Sequence, residues 1–146
     1  MTDALLTLIV GWIRANQDDL GTAEECKKLM NKAIKHKKCV IIDRCNAHAK
    51  ERKMWLTDAK KGGATRFETI YLNPGIEECK RRVRERKKHP TLSPENGDAV
   101  IDDFAKSLSS PEGWEGFDKI SVITSSDEFK QVVKEYQNYE INKKPL

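Results

Sequence analysis

Cys39-Val40-Ile41-Ile42-Asp43-Arg44-Cys45-Asn46 opens with four strand formers and stops at a carboxylate. A run of this kind with no polar alternation marks a strand buried on both faces, as in a parallel sheet. The segments around it supply the crossovers that parallel strands require. Upstream, Thr22-Ala23-Glu24-Glu25 reads as a capping box, followed by Cys26, Leu29, Met30, Ala33 and Ile34 at i, i+3, i+4, i+7, i+8 spacing, which predicts an amphipathic helix over 23–36. Downstream, a helix over 47–61 stops at Gly62-Gly63, and Phe67 to Leu72 reads as a second strand. Asn73-Pro74 offers an N-cap and a proline at the first helical position, opening a helix with Ile76, Cys79 and Val83 on its apolar side. Residues 89–98, with Pro90, Pro94 and Gly97, read as a loop. Val100, Ile101, Phe104, Ala105 and Leu108 predict a further helix, Ile120 to Ile123 a last strand, and Phe129, Val132, Val133 and Tyr136 a closing helix.

Strands alternating with helices imply an α/β fold with one parallel sheet, Cys39–Ile42 central in it and sites at the carboxyl ends of the strands. The whole of 1–146 reads as one domain, with no linker or repeat. Its 27 basic and 23 acidic residues give a net charge of +4, which permits a polyanionic partner without establishing one. The apolar run Leu5 to Val10 lacks a basic flank and falls far short of the ~18 residues of a membrane span, so neither a targeting peptide nor a membrane partner is expected. Cys26, Cys39, Cys45 and Cys79 form no C-x-x-C pair and lie in apolar-patterned segments. They read as reduced core residues, which points to nucleus or cytoplasm. His36, His48 and His89 are scattered without ligand spacing, so no metal site is expected. Trp12, Trp55 and Trp114 read as core or seam residues.

Two strand-to-helix rims carry carboxylates. Asp43 ends the apolar run, and Asn16-Gln17-Asp18-Asp19 follows the apolar stretch that ends at Ile13. If the two strands are neighbours, both rims face one cleft. The same aspartates also suit plain turn and cap positions. A third feature is the basic string Lys80-Arg81-Arg82-Val83-Arg84-Glu85-Arg86-Lys87-Lys88. On a helix, Arg82 and Arg86 share a face and can converge on one phosphate, as a mobile lid or as a solvated basic surface.

Four strings in order resemble the P-loop polynucleotide 5′-hydroxyl kinases over about Trp12 to Tyr136. Asn16-Gln17-Asp18-Asp19-Leu20-Gly21 resembles their N-[RQ]-D-x-L-G. Val40 to Asn46 with Arg52 is similar to their h-h-D-x-x-N…R segment. The Arg-rich helix, as part of about 80–98, resembles their lid, and Pro111 to Ile120 resembles their P-x-x-x-E-G-F-x-x-I. The wording is nearest to kinase-like modules joined to aprataxin-type domains, then to the kinase half of polynucleotide kinase/phosphatase. The resemblance implies a three-layer P-loop kinase-like domain acting in nucleic acid (DNA) end repair, with ATP and Mg²⁺ as cofactors, a 5′-hydroxyl end of DNA or RNA as partner, and further repair domains in the natural gene. It implies Asp18 as general base, Asp43, Asn46 and Arg52 as acceptor-strand contacts, and Arg82, Arg84 and Arg86 over the ATP phosphates.

Phosphoryl transfer of this class also needs a Gly-rich loop ending in Lys and a Mg²⁺-binding Ser or Thr. No G-x-x-x-x-G-K-[ST] string occurs in the 146 residues. The domain therefore reads as truncated at its amino end, with weak Mg-ATP binding and no appreciable kinase activity expected of these residues alone. Three readings stay open: the incomplete product of a gene for an active kinase, a non-catalytic nucleic acid-binding relative, and an α/β protein-interaction module whose aspartates are caps.

Overall fold

The computed structural model describes residues 12–86, 93 and 95–141. Strand β1, Trp12–Asn16, pairs in parallel with β2, Cys39–Asp43, and β3, Glu68–Leu72, pairs in parallel with β4, Lys119–Ile123. Between β1 and β2 run the short helix α1, Gln17–Leu20, and the crossover helix α2, Ala23–Lys35. Helix α3, Ala49–Lys61, joins the first pair to the second. Helices α4, Ile76–Glu85, and α5, Gly97–Ser107, connect β3 to β4, and α6, Ser126–Ile141, closes the described chain. The result is a mixed α/β architecture with parallel strands in two small sheets, consistent with a P-loop kinase-like fold. No helix among the described residues is long and apolar enough to cross a membrane.

Local chemistry explains most of the boundaries. The Thr22 hydroxyl accepts the Glu25 N–H at 3.2 Å, closing the first turn of α2 as the capping pattern requires. Cys26, Met30 and Ala33 then fall on the buried face. They pack with Ala15 and Trp55, and with Val40 and Ile42 of β2, into a core between the first strand pair and α2 and α3. A second core forms around Ile123, Phe129, Val132 and Val133. Trp12 and Ile41 of the first pair and Ile70 of the second pack against it, so α6 ties the two sheets together. The Tyr136 ring meets Trp12 edge-on at 5.5 Å, and its hydroxyl donates to Glu68 at 2.5 Å.

Three expectations are corrected. Among the described residues strand β2 has one strand neighbour, β1, rather than two, and no described strand bridges β2 to β3. All five β2 residues are accordingly half-buried, although their apolar run is suited to a strand covered on both sides. Helix α4 starts at Ile76, not at Asn73-Pro74. The Asn73 N–H donates to the Ile123 carbonyl at 2.7 Å, and Gly75 at φ 92 makes the entry turn, a backbone state that favours glycine. Cys45 is exposed rather than core, while all four cysteines are free thiols as read. The expectations placed on Leu5–Val10, His89, Pro90 and Pro94 lie outside the described residues.

Candidate functional site

The first rim is built by register. Asn16 stands opposite Asp43 in the β1–β2 pairing, and Arg14, two residues before Asn16, points to the same side of the strand. Three donors converge on Asp43 Oδ2: Arg14 Nε at 2.8 Å, Arg14 Nη2 at 2.5 Å and Asn16 Nδ2 at 3.0 Å. Arg14 Nη1 also reaches Asp19 at 3.3 Å, while Asn16 Oδ1 caps α1 by accepting the Asp19 N–H at 3.0 Å. Asp18, in the first turn of α1, is exposed at the same rim. Cys45 reports their closeness: desolvation pushes its thiol up first, and the charges of Asp18 and Asp43 push it the same way. Asp18 and Asp43 thus stand at the same strand-end rim, on either side of the β1–β2 pairing. Asn46 adopts φ 42, a left-handed backbone that non-glycine residues seldom hold. Its Oδ1 is buried and without a partner among the described residues.

The resemblance implies Arg52 as an acceptor-strand contact alongside Asp43 and Asn46. The structure places it inside the protein. Its side chain is 5% exposed and pairs with Glu115, itself 1% exposed, through two bonds of 2.7 Å. The remaining guanidinium donors go to the Asn46, Ala47, Ser109 and Ser110 carbonyls and the Ser109 hydroxyl. With five N–H groups so engaged, Arg52 pins the Asp43–Ala47 loop to the 109–115 segment. The cation that meets Asp43 is Arg14.

The second rim lies at the carboxyl ends of β3 and β4. A cavity of about 360 Å³ is lined by Arg82, Arg86, Glu78, Glu85 and Ser126. A smaller one, of about 100 Å³, continues from the same two arginines to Leu72, Ile123 and Thr124. Arg82, in the last turn of α4, and Arg86, just beyond it, both line these cavities. Arg84 does not join them: it pairs with Asp98 at the start of α5. Glu78 bonds both Arg81 and Arg82, and these guanidiniums hold its carboxyl at about 2. The arginines give the cavity positive charge, offset by the Glu78 and Glu85 carboxylates that also line it. No metal-binding cluster of three or more His, Cys, Asp or Glu side chains occurs among the described residues. No Lys-Ser or Lys-Thr pair follows a Gly-rich loop in the 146 residues, so these residues hold no Ser or Thr placed in that way for Mg²⁺.

Sequence reasoning missed Arg14, Asn16 as a bridging side chain, and Glu115. The first two were findable, because two polar residues at i and i+2 leading into an Asp-rich turn share one strand face. The third was not, since Glu115 meets its partner across 63 positions. Of the tryptophans, Trp55 is buried and carries the Arg44 guanidinium 5.3 Å from its ring centre. Trp114 contradicts the core assignment at 73% exposure.

A family model described as an AAA domain matches residues 3–111. The bifunctional polynucleotide phosphatase/kinase of Schizosaccharomyces pombe is 41% identical over 51 residues, covering 35% of this chain and 12% of that protein. The transcription factor bHLH140 of Arabidopsis thaliana is 28% identical over 133 residues, 86% of this chain and 14% of that protein. The chain thus spans about one seventh or less of the length of these curated relatives.

Proposed function

The chain belongs to the AAA domain family, and we propose that it forms the acceptor and lid side of an ATP-dependent polynucleotide 5′-hydroxyl kinase serving DNA or RNA end repair. The observation that carries this reading is the Asn16–Asp43 register with the Arg14 bridge from Asp43 to Asp19, which sets Asp43 at the strand-end rim where α1 presents the exposed Asp18. Likeness to a polynucleotide phosphatase/kinase supports the substrate class.

In this reading the exposed Asp18 carboxylate takes the proton from the 5′-hydroxyl as its oxygen attacks phosphorus, a role that requires hydrogen-bond reach to the reacting group. Arg14 and Asn16 hold Asp43 in one orientation, so that Asp43 and Asn46 position the acceptor end. Arg52 acts through the Asn46 and Ala47 carbonyls rather than on the strand itself. Arg82 and Arg86 embrace the phosphates of ATP, where guanidiniums stabilise developing charge, and Arg84 fastens the lid helix to α5. The phosphate-cradling loop is absent from the 146 residues, so transfer depends on a cradle supplied together with them. The net charge of +4 suits a second reading, a non-catalytic nucleic acid-binding domain. Nucleus or cytoplasm suits either.

Competition binding of single-stranded oligonucleotides bearing a 5′-hydroxyl or a 5′-phosphate tests the acceptor site. A rim that carries Asp18, Asp19 and Asp43 repels a phosphate dianion, so the 5′-hydroxyl form binds more tightly, and Asp18→Asn narrows the difference. Equal binding of both ends by the unmodified chain contradicts the acceptor reading.

A further inference from the structure

Trp114 is the most exposed large apolar side chain among those described, yet its backbone is firmly held. It sits in the 3-10 turn Gly113–Glu115, whose last residue is anchored by both carboxylate oxygens to Arg52. Glu115 also accepts the Glu112 N–H at 2.9 Å. Gly116 leaves the turn at φ 98, where a Cβ would stand 3.7 Å from Lys60 Nζ. Lys60 lies on α3 beneath the turn, 5.4 Å from the Phe67 ring. Lys53, seven positions earlier, is exposed on the same line of that helix. Through Arg52 the turn is also bonded to the Asn46 carbonyl at 3.0 Å, three residues from Asp43. An exposed indole on an anchored turn, two residues from the glycine that Lys60 approaches, combines the elements that accept bases by stacking and backbone phosphates by charge.

We propose that Trp114, with Lys60 and Lys53, is a base-stacking platform for single-stranded polynucleotide, seating the acceptor strand beyond its terminal nucleotide. The inference rests on the polynucleotide kinase reading and extends it to a second contact on the same strand. Stacking does not consult the 5′ end, so the platform and the acceptor site leave different signatures.

The experiment measures anisotropy of short fluorescein-labelled oligo-dT, with a 5′-hydroxyl or a 5′-phosphate, bound to the full chain. Trp114→Ala weakens both ligands by about tenfold, since stacking on one aromatic ring supports a change of that size. Trp114→Phe restores most of the affinity, and Lys60→Gln lowers the dependence on salt. Melting temperature stays unchanged in the Trp114 variants, because the side chain is solvent-facing. Unchanged affinity in Trp114→Ala, or Trp114→Phe as weak as Trp114→Ala, overturns the platform even if the 5′-hydroxyl preference persists. Equal binding of both ends with the Trp114 effect intact overturns the acceptor reading and leaves the platform standing. No binding of either ligand by the unmodified chain overturns the platform.

Discussion

Arg52 and Glu115, 63 positions apart, meet through two parallel bonds, Nε to Oε2 and Nη2 to Oε1, both 2.7 Å long. This fork geometry is the strongest form of carboxylate–guanidinium pairing. Here it is excluded from water and fastens the loop after β2 to the turn before β4. Substitution of one partner leaves the other charge buried alone. Glu115→Gln is expected to destabilise the fold by about 3–5 kcal/mol in denaturant unfolding.

The same pair makes an acid-limb prediction. Arg52 holds the Glu115 carboxyl below its ordinary value of 4.5, against the opposing effect of burial. A folded value below the unfolded one means stabilisation that is fully present above pH 4.5 and lost as pH falls below it through the folded value. The stability difference between the unmodified chain and Glu115→Gln therefore shrinks on acidification below pH 4.5 and is flat above it. A difference that stays constant through this range counts against the pairing.

Gly97 packs at the start of α5, where an added Cβ would collide with Val83 Cγ1 of α4. Gly→Ala within a helix ordinarily helps by about 0.5–1 kcal/mol. Gly97→Ala is instead expected to cost about 1–3 kcal/mol, as overpacking does. Val83→Ala in the same chain should recover part of that loss, read by thermal melts of the two single variants and the double.

The lid arginines separate by partner. Replacing Arg82 and Arg86 together by Gln should weaken Mg-ATP binding in calorimetry and flatten its salt dependence. Thermal stability should hardly change, because the Arg82–Glu78 contact is a solvent-screened surface pair within one helix. Arg84→Gln, which removes the contact to Asp98, should leave nucleotide affinity nearly unaltered. Equal losses from Arg84→Gln and from the double variant would show that the cavity has no special claim on the nucleotide.

Local signals made much of this legible. The Thr22 cap, the Cys26–Met30–Ala33 stripe, the Gly62-Gly63 stop and the apolar run into Asp43 all depend on neighbours within a few residues. Each appears in the structure within two or three positions of its expected place. That Arg82 and Arg86 line the same cavities is helical spacing again. What escaped depends on distant partners. The number of neighbours of β2 is a property of the sheet, and Arg52 in isolation reads equally well as a ligand contact or as a buried hub until Glu115 is set beside it. Trp114 is exposed in the middle of a 3-10 turn whose last residue, Glu115, is held by the distant Arg52, a placement that apolar composition alone does not suggest.

The most direct test of the acceptor assignment is transfer of labelled γ-phosphate from ATP to a 5′-hydroxyl oligonucleotide. It compares the 146-residue chain, the chain fused behind the Gly-rich strand and loop of a polynucleotide kinase, and the fusion carrying Asp18→Asn. The account predicts no appreciable transfer by the chain alone and transfer by the fusion. It also predicts that Asp18→Asn slows transfer by about 10²–10⁴-fold, the range of general acid–base contributions, with oligonucleotide binding largely kept. Near-normal turnover by the Asp18→Asn fusion, or robust transfer by the chain alone, would contradict it.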